Sequence, residues 1–384
     1  MRLTGKRVLL RKAKRSDIAD RQAIGRHGAF DHMCGGNTVA EVCYPKRAYW
    51  AKWYRWFKRY RHGFIIEYEG RCVGTARLSN LPRGAKSATF AIGIFDPSLW
   101  SQGLGTEATR LLLRYGFETL GLEQINLEVL DTNARGIRCY ERCGFVRTGI
   151  KPKSVCIDGE WHSDILMSVR RREYELRRDL LLYAVTDGRD DPLPAIEAAL
   201  RGGATMLQLR EKRLGGEELL ALARRVKAVA DRFGVPLILN DRADLAVEIG
   251  AAGAHLGPSD GDLRAARALL GPDKILGATA RTVEQALAAE AAGADYLGCG
   301  AVFGTNTKAE AVPMPPELLR AICGAVQIPV VAIGGIADVN IGRLRGCGMA
   351  GFAVVSGIFG AEDIEGATRE LRGMAEEILC PKPN

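Results

Sequence analysis

From about residue 180 onward one pattern repeats: a short run of aliphatic and β-branched residues, a turn, then an Ala/Leu/Glu/Arg-rich segment with apolar positions at helical spacing. Strands are expected at 181–186, 205–210, 236–240, 253–256, 274–279, 295–298, 329–333 and 351–356, with helices at 194–201, 217–233, 282–292 and 316–324. Eight apolar strands alternating with helices over about 200 residues predict an α/β fold, a parallel (β/α)8 TIM barrel. An open doubly wound sheet would want a Gly-rich turn after its first strand, which Thr186-Asp187-Gly188-Arg189 does not supply. Earlier in the chain the pattern differs. Strand-like runs at 8–11, 90–95, 127–130 and 165–169 surround a helical stretch at 106–120, which suits an α+β fold with a mixed sheet.

The charged stretch Arg170-Arg171-Arg172-Glu173-Tyr174-Glu175-Leu176-Arg177-Arg178-Asp179 separates the two patterns. It holds no Gly or Pro, so a short helix or extended connector is expected, with domains of 1–177 and 178–384. Composition changes at the same place. Residues 1–177 carry 32 Lys and Arg against 18 Asp and Glu, whereas residues 178–384 carry 22 against 27. All five Trp lie in the first part. No apolar run approaches the ~20 residues that span a bilayer, and the N-terminus lacks a signal-peptide core, so no membrane partner and a cytoplasmic location are expected. The ten cysteines show no CxxC and no metal-ligand spacing, which predicts reduced thiols; Cys139 and Cys143, one helical turn apart, read as ordinary packing.

In a barrel of this kind the working residues sit at the C-terminal strand ends. Those ends offer Gln208-Leu209-Arg210-Glu211-Lys212, Asn240-Asp241-Arg242, His255 to Asp260, Thr279, Thr305-Asn306-Thr307-Lys308, Gly334-Gly335 and Val355-Ser356-Gly357. Arg210, Lys212 and Lys308 can neutralise a diphosphate, and the threonines add neutral donors. The glycines after strands seven and eight suit a phosphate held by backbone N–H groups. Asp241 and Asp260 are hard oxygen ligands suited to Mg2+. Any one of these is as readily a helix cap or a tight turn; seven on one rim point to two anionic ligands and a divalent metal.

The order Tyr183-Ala-Val-Thr-Asp187, Gln208-Leu-Arg-Glu-Lys212, Asn240-Asp-Arg242, His255-Leu-Gly257, Asp260, Thr305-Asn-Thr-Lys308, Ala332-Ile-Gly-Gly-Ile336 and Val354-Val-Ser356 resembles thiamine-phosphate synthase along 180–380. The resemblance implies that Gln208, Arg210, Lys212, Asn240, Thr279 and Lys308 hold the aminopyrimidine methyl diphosphate, with Thr279, Lys308 and Arg210 taking part in catalysis. It implies Mg2+ on Asp241 and Asp260, and the thiazole phosphate on Thr305, Thr307, Gly335, Val355 and Ser356. Three positions depart from the family pattern: Pro258 for Gln, Thr279-Ala280-Arg281-Thr282 for Ser-Ala-His-Thr, and Gly304 for Pro. A thiazole tautomerase-like barrel is the alternative, but it would lack the Thr-x-Thr-Lys loop and place a His near the fifth strand end.

In the first half, Trp100-Ser-Gln102-Gly103-Leu-Gly105-Thr106-Glu-Ala108 lies between an expected strand and a helix. Its glycines would let backbone N–H groups approach a pyrophosphate at the helix N-terminus. Downstream come Thr132-Asn133-Ala134-Arg135 and Tyr140-Glu-Arg-Cys-Gly-Phe145. Together these resemble the GNAT acyltransferase superfamily, nearest the ribosomal-protein and spermidine acetyltransferase branch. The resemblance implies acetyl-CoA on Gln102, Gly103, Gly105, Thr106, Asn133 and Tyr140, with Tyr140 as general acid for the leaving thiolate. Asp96 and Glu128 are candidate bases by position, and the acetyl acceptor is not readable. A non-catalytic acyl-CoA-sensing module is the alternative. The stretch 49–61 places Trp50, Trp53, Phe57 and Tyr60 at helical spacing with Lys52, Arg55, Lys58 and Arg59 opposite. An amphipathic helix packed on the sheet is favoured over an RNA or ribosome contact.

Overall fold

The computed structural model describes residues 1–37, 47–304 and 313–379, and the chain divides into two compact units between Tyr174 and Glu175. That division falls within the helix Arg171–Asp179, so the charged connector is helical.

The first unit is one mixed sheet: β1 (Arg2–Thr4), β2 (Val8–Arg11), β3 (His62–Tyr68), β4 (Arg71–Ser79), β5 (Ser87–Ile94), β6 (Gln124–Leu130), β7 (Val146–Ile157) and β8 (Glu160–Arg170). Their spatial order is β1-β2-β3-β4-β5-β6-β8-β7. Only β5 and β6 pair in parallel, and only from Ser87↔Gln124 to Thr89↔Asn126. Beyond Thr89 the two strands run on, to Ile94 and Leu130, without pairing to each other. Period-two alternation divides the sheet's faces. Phe64 and Ile66 of β3 join a core with Leu104, Ala108 and Leu112 of the helix Leu104–Arg114. Ile65 between them joins Phe57, Cys72 and Phe95 on the other face.

Two expected helices are shorter than their periodicity suggested. The aromatic-basic helix covers Arg47–Phe57 and buries Trp50 and Phe57, leaving Trp56 exposed. Tyr60 lies in the turn beyond, where Gly63 permits the approach of the tyrosine side chain, a Cβ there falling 2.8 Å from it. The stretch expected as helix to residue 120 is α-helical to Arg114 and then π-helical over Tyr115–Thr119. Within it Gly116 lies so close to Ile125 that a Cβ would stand 2.7 Å from it.

In the second unit β9 (Leu182–Val185), β10 (Met206–Leu209), β11 (Leu237–Asn240), β12 (Gly253–Leu256), β13 (Ile275–Ala280), β14 (Tyr296–Gly300), β15 (Val330–Ile333) and β16 (Gly351–Val354) pair in parallel. The barrel closes where β16 pairs with β9 through Phe352↔Leu182. Outward residues such as Leu182, Ala184, Leu207, Leu209 and Leu239 pack against the helices. Each buried leucine there contributes roughly 1.5–3 kcal/mol. Inward residues Tyr183, Val185, Met206, Ile238, Tyr296 and Val331 form a separate interior cluster with Leu176 and Leu180. Among the described residues, no helix is long and apolar enough to cross a membrane.

Candidate active sites

The same alternation that puts Met206, Ile238 and Ile275 inside the barrel puts Gln208, Asn240 and Thr279 inside at the C-terminal ends of β10, β11 and β13. Gln208 is buried, with 4% of its surface exposed; Asn240 and Thr279 are half-buried. At the next step the Arg210 N–H donates to Thr186 Oγ1 at 2.8 Å, and the Thr186 hydroxyl donates to the Arg210 carbonyl at 3.1 Å. This clasp fixes where the Arg210-Glu211-Lys212 segment leaves the strand.

Asp241 takes a left-handed backbone conformation, φ 62°, and its N–H donates to the His255 carbonyl at 2.9 Å. Non-glycine residues adopt that region at a cost, and do so most often where a side chain must be aimed. Asp260 Oδ2 accepts from the Gly257 N–H at 2.8 Å, and a Cβ on Gly257 would fall 2.5 Å from that oxygen. Burial first, and then the Asp260 carboxylate, push Asp241 up to about 6, while Lys212 and Arg210 pull it back. For Asp260, burial is outweighed by hydrogen bonds from Asp241, the Gly257 N–H and Ser259, which hold it below the ordinary carboxylate value. Two neighbouring carboxylates, with the cations of Arg210 and Lys212 close enough to be felt, form a site suited to a divalent cation and an anion.

On the opposite side of the mouth Gly334 and Gly335 have φ of 100° and 68°. A Cβ on Gly335 would lie 2.4 Å from the Gly304 carbonyl oxygen, so the two loop backbones approach closely there. Val355 precedes the single-turn helix Ser356–Phe359, whose first N–H groups have no partner within that turn. Thr305, Thr307 and Lys308 lie outside the described residues. Among the departures from the family pattern, Pro258 and Arg281 are both exposed, and the Arg281 N–H donates to Gln285 Oε1 at 2.8 Å.

Within the barrel a row of polar side chains joins two rim residues. Gln208 Nε2 donates to the Tyr183 hydroxyl (2.7 Å), which meets the Tyr296 hydroxyl (2.9 Å). That hydroxyl meets His255 Nδ1 (3.0 Å), and His255 Nε2 meets Thr279 Oγ1 (3.0 Å).

In the first unit, Gln102 to Thr106 form the turn into the helix Leu104–Arg114, with Ser101 and Gly103 at φ 62° and 79°. Arg7 holds this turn from β2's side: its guanidinium donates to the Gln102 carbonyl at 2.6 Å and its N–H to Glu107 Oε1 at 2.8 Å. Trp100 donates its indole N–H to the Ile94 carbonyl at 2.9 Å, and the Arg135 guanidinium stacks 3.7 Å from the centre of its ring. The Thr106 hydroxyl and carbonyl meet Cys139 Sγ at 3.3 Å and Cys143 Sγ at 3.7 Å, so both cysteines pack on the turn as thiols. Asn133 caps the helix Ala134–Arg142 by accepting from the Gly136 N–H at 2.9 Å. Tyr140 packs edge-on against Phe90 of β5 and Phe145, beside the place where β5 and β6 part. Burial pushes its phenol well above the ordinary tyrosine value. Of the two candidate bases, Asp96 caps a turn by accepting from the Ser98 N–H and hydroxyl, and Glu128 is exposed and 3.6 Å from Lys151.

Residues 182–358 match the family model for thiamine monophosphate synthase, and residues 7–146 match that for the acetyltransferase (GNAT) domain. Thiamine-phosphate synthase of Lacticaseibacillus paracasei is 46% identical over 205 residues, which is 52% of this chain and 96% of that protein. The chain belongs to the thiamine-phosphate synthase family. Thiamine-phosphate synthase 2 of Streptococcus pneumoniae is also 46% identical, over 207 residues, 53% of this chain and 99% of its own length. Among solved structures, thiamine phosphate pyrophosphorylase from Pyrococcus furiosus is 39% identical and superposes with a TM-score of 0.50, covering 53% of this chain and 98% of that one. The chain is therefore a fusion: a barrel of that family follows a segment, residues 7–146, that matches the acetyltransferase (GNAT) domain model.

Sequence reasoning did not find Arg7 and Glu107 at the turn, or Tyr296 behind the rim, and it named Tyr183 and His255 without the contacts that join them. The two groups are joined by contacts between residues up to 113 positions apart. The one local signal was parity: Tyr183 and His255 stand at inward positions of their strands.

Proposed function

We propose that the synthase mouth holds the pyrimidine diphosphate with Gln208, Arg210, Lys212, Asn240, Thr279 and Lys308, and the thiazole phosphate with Thr305, Thr307, Gly335, Val355 and Ser356. In the reaction the methylene C–O bond breaks, diphosphate leaves with the electron pair, and the thiazole nitrogen lone pair forms the new C–N bond. No protein nucleophile is required. Arg210, Lys212 and Lys308 stabilise charge as it builds on the leaving diphosphate, and Asp241 and Asp260 would hold Mg2+, which when bound adds a divalent charge to the same anion. The observation that carries this reading is the placement of Arg210 and Lys212, Asp241 at its positive φ, and Asp260 after three neighbouring strands, β10, β11 and β12, on one rim of the barrel. Lys308→Ala is expected to raise the KM for the pyrimidine diphosphate roughly 10–100-fold, the worth of one charge-assisted hydrogen bond. An unchanged KM in steady-state assays would remove Lys308 from the site.

For residues 1–177, preceding a synthase domain of 178–384, the reading is an acetyl-CoA-dependent N-acetyltransferase. The splayed β5 and β6 leave unpaired backbone beside Tyr140, and the turn from Gln102 to Thr106 offers N–H groups to a pyrophosphate. Asn133 borders the same region. Tyr140, a phenol protonated at neutral pH, is suited to return a proton to the departing thiolate. Tyr140→Phe should slow acetyl transfer about 100-fold while leaving the KM for acetyl-CoA within about threefold. Equal transfer rates would remove Tyr140 as the acid, and no acetyl transfer by the parent chain would favour an acyl-CoA-sensing module instead. The aromatic face of the helix Arg47–Phe57 packs on the sheet, which favours a small-molecule or peptide amine over RNA or the ribosome as acceptor.

A further inference from the structure

Five side chains on five barrel strands, β10, β9, β14, β12 and β13, form the row Gln208–Tyr183–Tyr296–His255–Thr279. Tyr183 and Tyr296 are 1% and 0% exposed, so every hydrogen in the row needs an acceptor inside the protein. The Gln208 amide nitrogen can only donate, so the Tyr183 oxygen accepts from it. The Tyr183 proton must then go to Tyr296, its other hydrogen-bond partner among the described residues. The Tyr296 proton in turn goes to His255 Nδ1, which must be bare; the imidazole proton therefore sits on Nε2 and goes to Thr279 Oγ1. The opposite polarity would place two donors on the Tyr183 oxygen and leave its own proton buried without an acceptor. Room for the row is made by glycines. A Cβ on Gly277 would stand 2.2 Å from the Tyr296 ring and 2.5 Å from His255 Nδ1, and one on Gly298 would stand 3.1 Å from His255 Cε1.

We propose that this one-way row fixes the polarity of the two groups at its ends, and thereby selects an amino-substituted pyrimidine against its oxo counterpart. Held by Tyr183 through Nε2, Gln208 turns Oε1 outward as a fixed acceptor. Thr279, already accepting from His255, has its proton free for a ring nitrogen or diphosphate oxygen. An exocyclic amine satisfies the Gln208 oxygen, whereas an oxo group would set two acceptors against each other, and a site built for one hydrogen-bond pattern rejects the other strongly. Tyr183, Tyr296 and His255 are thus positioning residues. The inference rests on the reading that Gln208 and Thr279 bind the pyrimidine.

The test uses the full chain. Binding of the pyrimidine diphosphate and of its 4-oxo counterpart is compared by competition, and 15N NMR reads the tautomer of His255, the sole histidine of the barrel half, assigned by loss of its signal in His255→Gln. The expected result is a preference for the amino form of about 100-fold or more, narrowed roughly 10-fold in Tyr183→Phe, where Gln208 is free to turn over. His255 should carry its proton on Nε2. A preference unchanged by Tyr183→Phe, or a proton on Nδ1, would overturn the one-way row. Gln208→Leu separates the two claims: normal pyrimidine affinity there would overturn the substrate assignment itself, whereas lost affinity there, with an Nδ1 proton in the parent chain, would overturn the row alone.

Discussion

Asp241→Ala should lower synthase turnover roughly 100-fold or more with the barrel still folded, since loss of a partner one shell further from a metal already costs about 10–100-fold. The fold should survive because Asp241 is half-buried at a strand end, and its loss leaves Asp260 still bonded to the Gly257 N–H. The same residue gives a pH dependence. Asp241 titrates at about 6 in the folded chain, above the ordinary 3.8, so the folded state binds the proton more tightly than the unfolded one. Its contribution to stability is fully present below pH 3.8 and is lost as pH rises through about 6. In metal-free protein, urea denaturation followed by barrel circular dichroism should show that loss, and Asp241→Ala should flatten it. A variant with normal turnover would refute the metal assignment, and an unfolded variant would refute the stability argument.

Asp17→Ala should destabilise the N-terminal unit by about 3–5 kcal/mol. The Asp17 carboxylate is wholly buried and takes two hydrogen bonds from the Arg11 guanidinium, at 3.0 and 2.7 Å, and one from the Lys14 N–H at 2.6 Å. Glu67 also pairs with Arg11 but is 20% exposed, so water can replace much of what its removal takes away. Without Asp17, a guanidinium 4% exposed keeps only that partial partner. Because all five tryptophans lie in residues 1–177, Trp fluorescence during urea denaturation follows this half of the chain. The midpoint should fall sharply for Asp17→Ala, and the double variant Arg11→Met/Asp17→Leu should recover much of the loss by replacing the pair with apolar packing. Equal midpoints for Asp17→Ala and the parent chain would contradict it.

Much of the barrel was readable from its apolar runs because each strand is buried on both faces and is bounded by turn residues. Their C-terminal ends then marked Gln208, Asn240 and Thr279 as rim residues, and period-two parity puts all three inside the barrel. What parity cannot supply is depth and direction. Nothing local in Asn240-Asp241-Arg242 announces that Asp241 takes a positive φ, since the conformation is set by the bond from its N–H to the carbonyl of a neighbouring strand. Tyr296 opens a strand that reads as ordinary core, and its role depends on His255 and Tyr183 arriving from 41 and 113 residues away. In the N-terminal unit the Gly-x-Gly turn was legible as a motif, but the Arg7 side chain that holds it comes from 95 residues earlier. The long β7–β8 hairpin was only partly read. Its first strand is mostly exposed and lacks the alternation that marks a half-buried strand.

The most direct test is thiamine phosphate formation by the full chain from the pyrimidine diphosphate and the thiazole phosphate, before and after chelation of divalent metal. The account predicts product that disappears on chelation and returns with Mg2+. A folded protein that forms no product under either condition would contradict it, and would make Pro258 and Arg281 the first positions to revert toward the family pattern.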